Sequence, residues 1–177
     1  MKTLVAYLSK TGNTRKVAEA IYGEIEGEKE LKHIDDVERL DGYDVSFLGF
    51  PIHQMGPDKK EKKLLEKHCT GGNNVVLFIT HAAPEDSPDL PPMLDKFRQA
   101  ACGANIIDMF DCQGELDKTT KRIMSVLPNA RLRNWAKIDN SQGQPDESRI
   151  ERARAFSRDV MSGLRQAENM AVAAGSR

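Results

Sequence analysis

The sequence predicts an α/β protein in which helices cover both faces of a five-stranded parallel sheet. Apolar runs of strand length alternate with helical patterns along the 177 residues, as in consecutive strand–helix–strand units. Two of these runs, at 75–80 and 105–110, are continuous rather than alternating, as expected of strands that are buried on both faces. Because crossovers between parallel strands are right-handed, the helices are expected on both sides of the sheet.

The first part of the chain supplies three strands and two helices. We predict the strands at 3–8, 30–34 and 45–50 and the helices at 14–26 and 58–69. The second helix has a lysine-rich outer face, formed by Lys59, Lys60, Lys62 and Lys63. Such a face is most simply solvated, and the alternative is a docking site for an acidic partner protein.

The second part of the chain adds two strands and three helices. Beside the strands at 75–80 and 105–110, we predict helices at 90–102, 115–127 and about 145–167. The polar segment 128–145 is expected to be irregular, and the tail 168–177 is expected to fray. No linker divides the chain, so residues 1–177 are predicted to form a single domain.

Composition restricts the classes of function. The chain has 39% hydrophobic and 30% charged residues, which suits one domain with a full core. It has 26 Lys and Arg against 27 Asp and Glu, a balance that argues against a general nucleic-acid or membrane-surface binder. No apolar stretch approaches a membrane span, and the amino-terminal segment is too polar for a signal peptide. We therefore expect a cytoplasmic protein, of an oligomeric state that the sequence does not indicate.

The three cysteines indicate neither a disulfide framework nor a metal site. Cys69, Cys102 and Cys112 are odd in number and show no CxxC or zinc-like spacing. We expect buried structural thiols, and no metal is predicted. No charge pattern around Cys112 argues for a reactive thiol.

The junction between the first strand and the first helix predicts a phosphate site. Residues 4–18 read LVAYLSKTGNTRKVA, so a strand ends in small polar residues and leaves the first amides of a helix directed outward. Gly12 allows close backbone approach, and the neighbouring hydroxyl and amide side chains add donors. The spacing fits neither a Walker loop nor a dinucleotide fingerprint. A single phosphate monoester fits better, and the alternative is an ordinary N-capped helix.

Residues 7–14, YLSKTGNT, followed by Ala18 and Ile21, resemble the flavodoxin phosphate signature. In that family the loop binds the 5′-phosphate of FMN through hydroxyls and main-chain N–H groups. The resemblance therefore implies FMN as cofactor and a flavodoxin-like doubly wound sheet of order 2-1-3-4-5 in three layers, α/β/α. Ala6 departs from the family by replacing a larger residue, and so does the overall charge, which is balanced rather than acidic. The residues expected to bind the phosphate are Ser9, Lys10, Thr11, Gly12, Asn13 and Thr14.

Three further loops are expected to contact the flavin ring. Ligands of doubly wound sheets lie outside the carboxyl ends of the strands, so the loops after the third, fourth and fifth strands line one pocket with the phosphate turn. The first of these loops resembles the flavodoxin loop that packs on one side of the isoalloxazine ring, with Gly56 allowing a peptide flip. The residues expected there are Pro51, Ile52, His53, Gln54, Met55 and Gly56, then Thr80, His81, Ala82 and Ala83, then Cys112, Gln113 and Gly114.

The loop after the fourth strand departs most from the resemblance. Flavodoxins often stack a Tyr or Trp there, whereas this chain has Ala82 and Ala83. We therefore expect weaker stacking, with His53, Met55 or His81 covering the ring, or one ring face left open to a substrate. The alternative for both histidines is a polar loop residue with a water or backbone partner.

Two functions remain open. The first is an electron carrier in which FMN exchanges electrons with redox partner proteins, a donor reductase and an acceptor. The second is an FMN-dependent reductase of a small-molecule acceptor, with His53 or His81 donating a proton. No catalytic residue is assigned, and the sequence leaves open whether the protein is an enzyme. A response-regulator-like module is disfavoured, because the first and third strands end without the carboxylates that it needs.

Overall fold

A computed structural model of the protein describes residues 1–53 and 55–175. Five parallel strands form one sheet in the order β2-β1-β3-β4-β5. This confirms the predicted strand number, direction and order. The strands are β1 Lys2–Tyr7, β2 Glu28–His33, β3 Val45–Pro51, β4 Asn74–His81 and β5 Asn105–Gln113.

Helices cover both faces of this sheet, which confirms the three-layer arrangement. Consecutive strand residues face opposite layers, so Phe47 packs with α1 and α6 whereas Leu48 packs with α2 and α3. The edge strand β2, with sequence EKELKH, is charged and only partly buried, which protects the sheet from pairing with another chain. The helices are α1 Asn13–Glu24, α2 Lys59–His68, α3 Leu90–Ala100, α4 Lys118–Val126, α5 Ala130–Ile138 and α6 Glu147–Gly175.

The fifth strand is longer than predicted. It continues through Cys112 and Gln113, which pair with Thr80 and His81 of β4. The prediction that Cys112 and Gln113 belong to a loop was therefore wrong. The cause is the matching extension of β4, which gives these residues backbone partners that their own polar sequence does not indicate.

Two segments of the second half also differ from the prediction. The segment 128–145 is not entirely irregular, because α5 forms within it and packs against α4. Its apolar side chains lie at helical spacing, with Ala136 buried. Helix α6 continues to Gly175, so residues 168–175 are helical where fraying was expected. This end of α6 is rich in alanine, the strongest helix former.

Among the described residues, no helix combines the length and the apolar character that crossing a membrane would require.

Candidate functional site

The turn after β1 presents an uncapped helix end. Ser9 Oγ accepts a hydrogen bond from the Gly12 N–H at 3.1 Å, which closes the turn. Gly12 has φ +96°, a left-handed conformation that favours glycine. Among the residues that the structure describes, no side chain caps α1 through a hydrogen bond, and the first turn of α1 contains no acidic residue. The first N–H groups of α1 and its dipole are therefore available to an anion.

Two side chains of this turn attach it to the sheet. The Thr14 hydroxyl is buried and lies 2.8 Å from the hydroxyl of Thr80 at the end of β4. Asn13 Nδ2 donates a hydrogen bond to the Glu115 carbonyl at 2.9 Å. Gly114 is in close contact with Asn13, since a Cβ at position 114 would lie 2.8 Å from Asn13 Nδ2. The side chain of Asn13 thus contacts the protein, while Lys10 and Thr11 are exposed.

The loop after β3 folds into a tight turn beside β4. The Ile52 N–H donates to the Thr80 carbonyl at 2.7 Å, and the His53 N–H donates to the Gly56 carbonyl at 3.2 Å. The Met55 carbonyl accepts a hydrogen bond from Lys96 Nζ at 2.8 Å, and the Met55 side chain is exposed. Pro51 is the last residue of β3. Gln54, also predicted to contact the ring, lies outside the described residues.

A buried carboxyl group lies under this loop. Glu61 is fully buried in the first turn of α2, where its Oε2 accepts from the Asp58 N–H at 2.7 Å and Asp58 Oδ1 accepts from the Glu61 N–H at 2.8 Å. This reciprocal capping box begins α2. Burial, with the charge of Asp58, raises the pKa of Glu61 to about 7, against the opposing effects of its backbone hydrogen bond and Lys10.

His53 completes this cluster. Its Nε2 lies 3.3 Å from Glu61 Oε1, and burial, with the charge of Lys10, lowers the pKa of His53. Potential ligand atoms of His53, Asp58 and Glu61 lie within 4.8 Å of one another. One oxygen of each carboxylate is already bound to a backbone N–H, which identifies the cluster as a helix cap. Our sequence reasoning missed Glu61, although the DKKE pattern at 58–61 is a capping-box signal.

His81 is held in the protein interior. Its side chain is 1% exposed, with Nδ1 at 2.9 Å from the Ala83 carbonyl and Nε2 at 3.1 Å from Asp111 Oδ2. Both ring nitrogens therefore face oxygen atoms of the protein. The structure places this ring away from the open rim, whereas Ala82 and Ala83 are half-buried. The sequence did not predict the contact between Asp111 and His81, because the two residues lie on neighbouring strands and are far apart in the sequence.

The residues at the end of β5 are also buried or hydrogen-bonded within the protein. Cys112 is fully buried, and burial raises the pKa of its thiol to about 12. Gln113 Nε2 donates to the Ala82 carbonyl at 3.2 Å and to Asn140 Oδ1 at 2.7 Å. The Gly114 N–H donates to the His81 carbonyl at 2.8 Å. The side chains of Cys112 and Gln113 are thus buried in the protein, in agreement with their position in β5.

These elements define a class of protein: a doubly wound α/β domain in which the turn 9–14 lies at the carboxyl ends of β1 and β3, where the strand order reverses. The flavodoxin domain model matches residues 4–158. A protein of Clostridioides difficile (strain CD3), named flavodoxin-like domain-containing protein BilS, is 32% identical over 172 residues, which cover 91% of this chain and 97% of that protein. The chain belongs to the flavodoxin family.

Solved structures agree with this fold. An archaeal flavodoxin has a TM-score of 0.57 at 17% identity and covers 93% of this chain and 99% of its own. Oxidised flavodoxin 2 from Bacillus cereus has a TM-score of 0.57 at 19% identity, and the match covers 92% of this chain and 99% of that flavodoxin. A flavoprotein from Lactobacillus acidophilus NCFM, solved in complex with FMN, has a TM-score of 0.52 at 23% identity, with 62% and 92% covered.

Proposed function

We propose that this protein binds FMN and that the turn 9–14 holds the phosphate. The observation that carries the proposal is the helix end of α1, which has no side-chain cap within residues 1–53 and 55–175, begins at a left-handed Gly12 and has hydroxyls on the turn before it. A phosphate dianion there would gain backbone N–H donors and a favourable dipole. Family membership and the FMN complex of the L. acidophilus flavoprotein support the same cofactor.

A fluorescence titration tests this binding. Free FMN is fluorescent, and we expect saturable quenching on addition of the apoprotein. Thr11→Asp adds a carboxylate to an exposed position of the turn and should weaken FMN binding about tenfold or more, because it repels the phosphate. Thr70→Asp is the matched control, since Thr70 is exposed and follows α2 at the opposite edge of the sheet. Equal affinity of the two variants would contradict the proposed phosphate site.

The bound flavin would serve an electron carrier that exchanges electrons with a donor and an acceptor protein. FMN supplies the redox chemistry, and the protein supplies binding and orientation. The loop after β3 presents the exposed side chain of Met55 at the rim, so it is the part of the chain suited to contact the ring. His81, one of the two histidines expected to donate a proton in a reductase, is buried against Asp111 and Ala83, which favours the carrier.

One observation supports a reductase as the second candidate. Ala82 and Ala83 carry small side chains on the loop where flavodoxins often stack a Tyr or Trp, and such side chains would leave room beside a bound ring. Anaerobic photoreduction of the FMN-loaded protein separates the two functions. A carrier should accumulate a semiquinone and oxidise NADH or NADPH slowly with any small acceptor. Rapid steady-state oxidation of a nicotinamide with a small acceptor, without a semiquinone, would favour the reductase.

A further inference from the structure

Helices α4 and α5 form a hairpin inserted between β5 and the last helix. We call residues 118–138 the α4–α5 hairpin; it begins five residues after the end of β5. The two helices pack against each other, and no residue of α4 is buried. Helix α4 therefore lies at the surface, where it can contact another molecule.

The base of the hairpin is attached to the proposed flavin site. The Glu115 carbonyl accepts from Asn13 of the phosphate turn, and the Leu116 N–H donates to Ser141 Oγ at 2.8 Å. On the other side of the hairpin, Asn140 binds the last residue of β5. These contacts fix both ends of the hairpin at the carboxyl edge of the sheet, beside the turn that would hold FMN.

The charge of the hairpin is entirely of one sign. Residues 118–138 contain six Lys and Arg and no Asp or Glu, although the whole chain is nearly neutral. Of the acids that flank it, Asp117 caps α4 and Asp139 binds Lys121 at 2.6 Å. Three of its cations are exposed and form no ion pair with the described part of the chain, namely Lys118, Arg122 and Lys137.

Apolar side chains are exposed on the same helix. Ile123 and Val126 of α4 are 52% and 77% exposed, and a spacing of three residues puts them on one face. Arg122 is exposed and lies four residues before Val126, so the two share a side of the helix. An exposed apolar pair with a cation beside it resembles the composition of a protein interface, which has an apolar centre and a polar rim.

We propose that the α4–α5 hairpin is the docking surface for a redox partner protein that presents carboxylates around its own redox centre. The proposal rests on the proposed function, because it names the partner of the same site. An acidic surface complements the exposed Lys118, Arg122 and Lys137 and would be steered to the edge where electrons leave the flavin. The lysine-rich face of α2 is a weaker candidate, since Lys60 and Lys62 are paired with Asp35 and Glu66 and, among the described residues, α2 has no exposed large apolar side chain beside its lysines.

NMR titration of the ¹⁵N-labelled full chain tests this surface. Zinc-substituted rubredoxin, a small acidic and diamagnetic form of a redox protein, is the probe. We expect the largest amide shift changes within residues 118–138, and we expect binding to weaken when NaCl is raised from about 20 mM to about 300 mM, which shortens the Debye length. Shift changes centred on α2, or no saturable change, would overturn the proposal, as would stronger binding of a short DNA duplex to the hairpin.

Charge-reversal variants provide the matched comparison. The triple variant Lys118→Glu, Arg122→Glu, Lys137→Glu should weaken rubredoxin binding about tenfold or more at low salt. The triple variant Lys59→Glu, Lys63→Glu, Lys67→Glu makes the same change of charge on exposed positions of α2. It should change the affinity for rubredoxin by less than about twofold. Equal effects would overturn the proposal. Circular dichroism of both variants checks folding.

The titration separates this proposal from the proposed function because it is run with and without FMN. Saturable shift changes in the hairpin of a protein that does not quench FMN fluorescence would support the docking surface and contradict the cofactor. If the protein binds FMN but rubredoxin causes no shift change in the hairpin, the docking surface alone would be contradicted.

Discussion

Substitution of the buried Glu61 by glutamine should stabilise the protein at alkaline pH and have a smaller effect under acidic conditions. Glutamine has nearly the same shape and keeps the capping box, since its side-chain oxygen can accept the Asp58 N–H. It removes only the ability of position 61 to ionise. The effect of the substitution therefore reports the cost of a charge in this buried place.

The expected magnitude follows from the pKa of Glu61. Folding raises this pKa from 4.5 to about 7, so the unfolded chain loses its proton first as the pH rises. Stability falls between these two pKa values, by about 1.4 kcal/mol per pH unit and about 3 kcal/mol in total. Glutamine does not titrate, so Glu61→Gln should gain about 2 to 3 kcal/mol relative to the natural protein between about pH 5 and about pH 8.

Urea unfolding of the apoprotein across this pH range measures the effect. The lowered pKa of His53 changes the stability of the protein in the opposite direction. The contribution of His53 to stability is lost as the pH falls from its unfolded pKa of 6.5 towards its lower folded pKa. His53 is present in both proteins, so its own contribution cancels to first order in the comparison. Glu66→Gln on the exposed side of α2 is the control, and its effect should change little with pH. A pH-independent difference between Glu61→Gln and the natural protein would refute the reasoning.

Two further predictions concern packing and thiol chemistry. Gly49→Ala should destabilise the protein by about 3 kcal/mol or more in denaturant unfolding, because the new Cβ would lie 2.0 Å from the buried Phe78 ring. The control Gly23→Ala, in open space on α1, should stabilise it by about 0.5 to 1 kcal/mol, and equal effects would contradict this packing. Cys102 is the one exposed thiol of three, so a thiol reagent should modify one equivalent in the folded protein and three after unfolding; fast modification of more would contradict the burial.

The sheet and the turn between β1 and α1 could be predicted because their signals are local. An apolar run followed by Ser9, Gly12 and Thr14 is contained within one short segment, and the strand order followed from the family that this segment resembles. The alternation of strands and helices likewise needs only neighbouring residues. These parts of the prediction depend little on distant contacts.

The remaining features depend on residues far apart in the sequence. Asp111 and Gln113 are polar and suggest a loop, but His81 and Asn140 provide partners that allow β5 to continue through them. The same contact with Asp111 holds the His81 ring in the interior, away from the rim. The pairing of Glu61 with His53 also depends on how the loop after β3 folds over α2. No periodicity in the chain reports such contacts.

The affinities of FMN and riboflavin test the central claim most directly, because the two ligands differ only in the phosphate. Isothermal titration of the apoprotein with each ligand at low salt gives the contribution of the turn 9–14. Binding of FMN at least about a hundredfold tighter than riboflavin is predicted, since a dianion at an uncapped helix end gains several charge-assisted hydrogen bonds. Equal affinities, or no binding of either ligand, would contradict it.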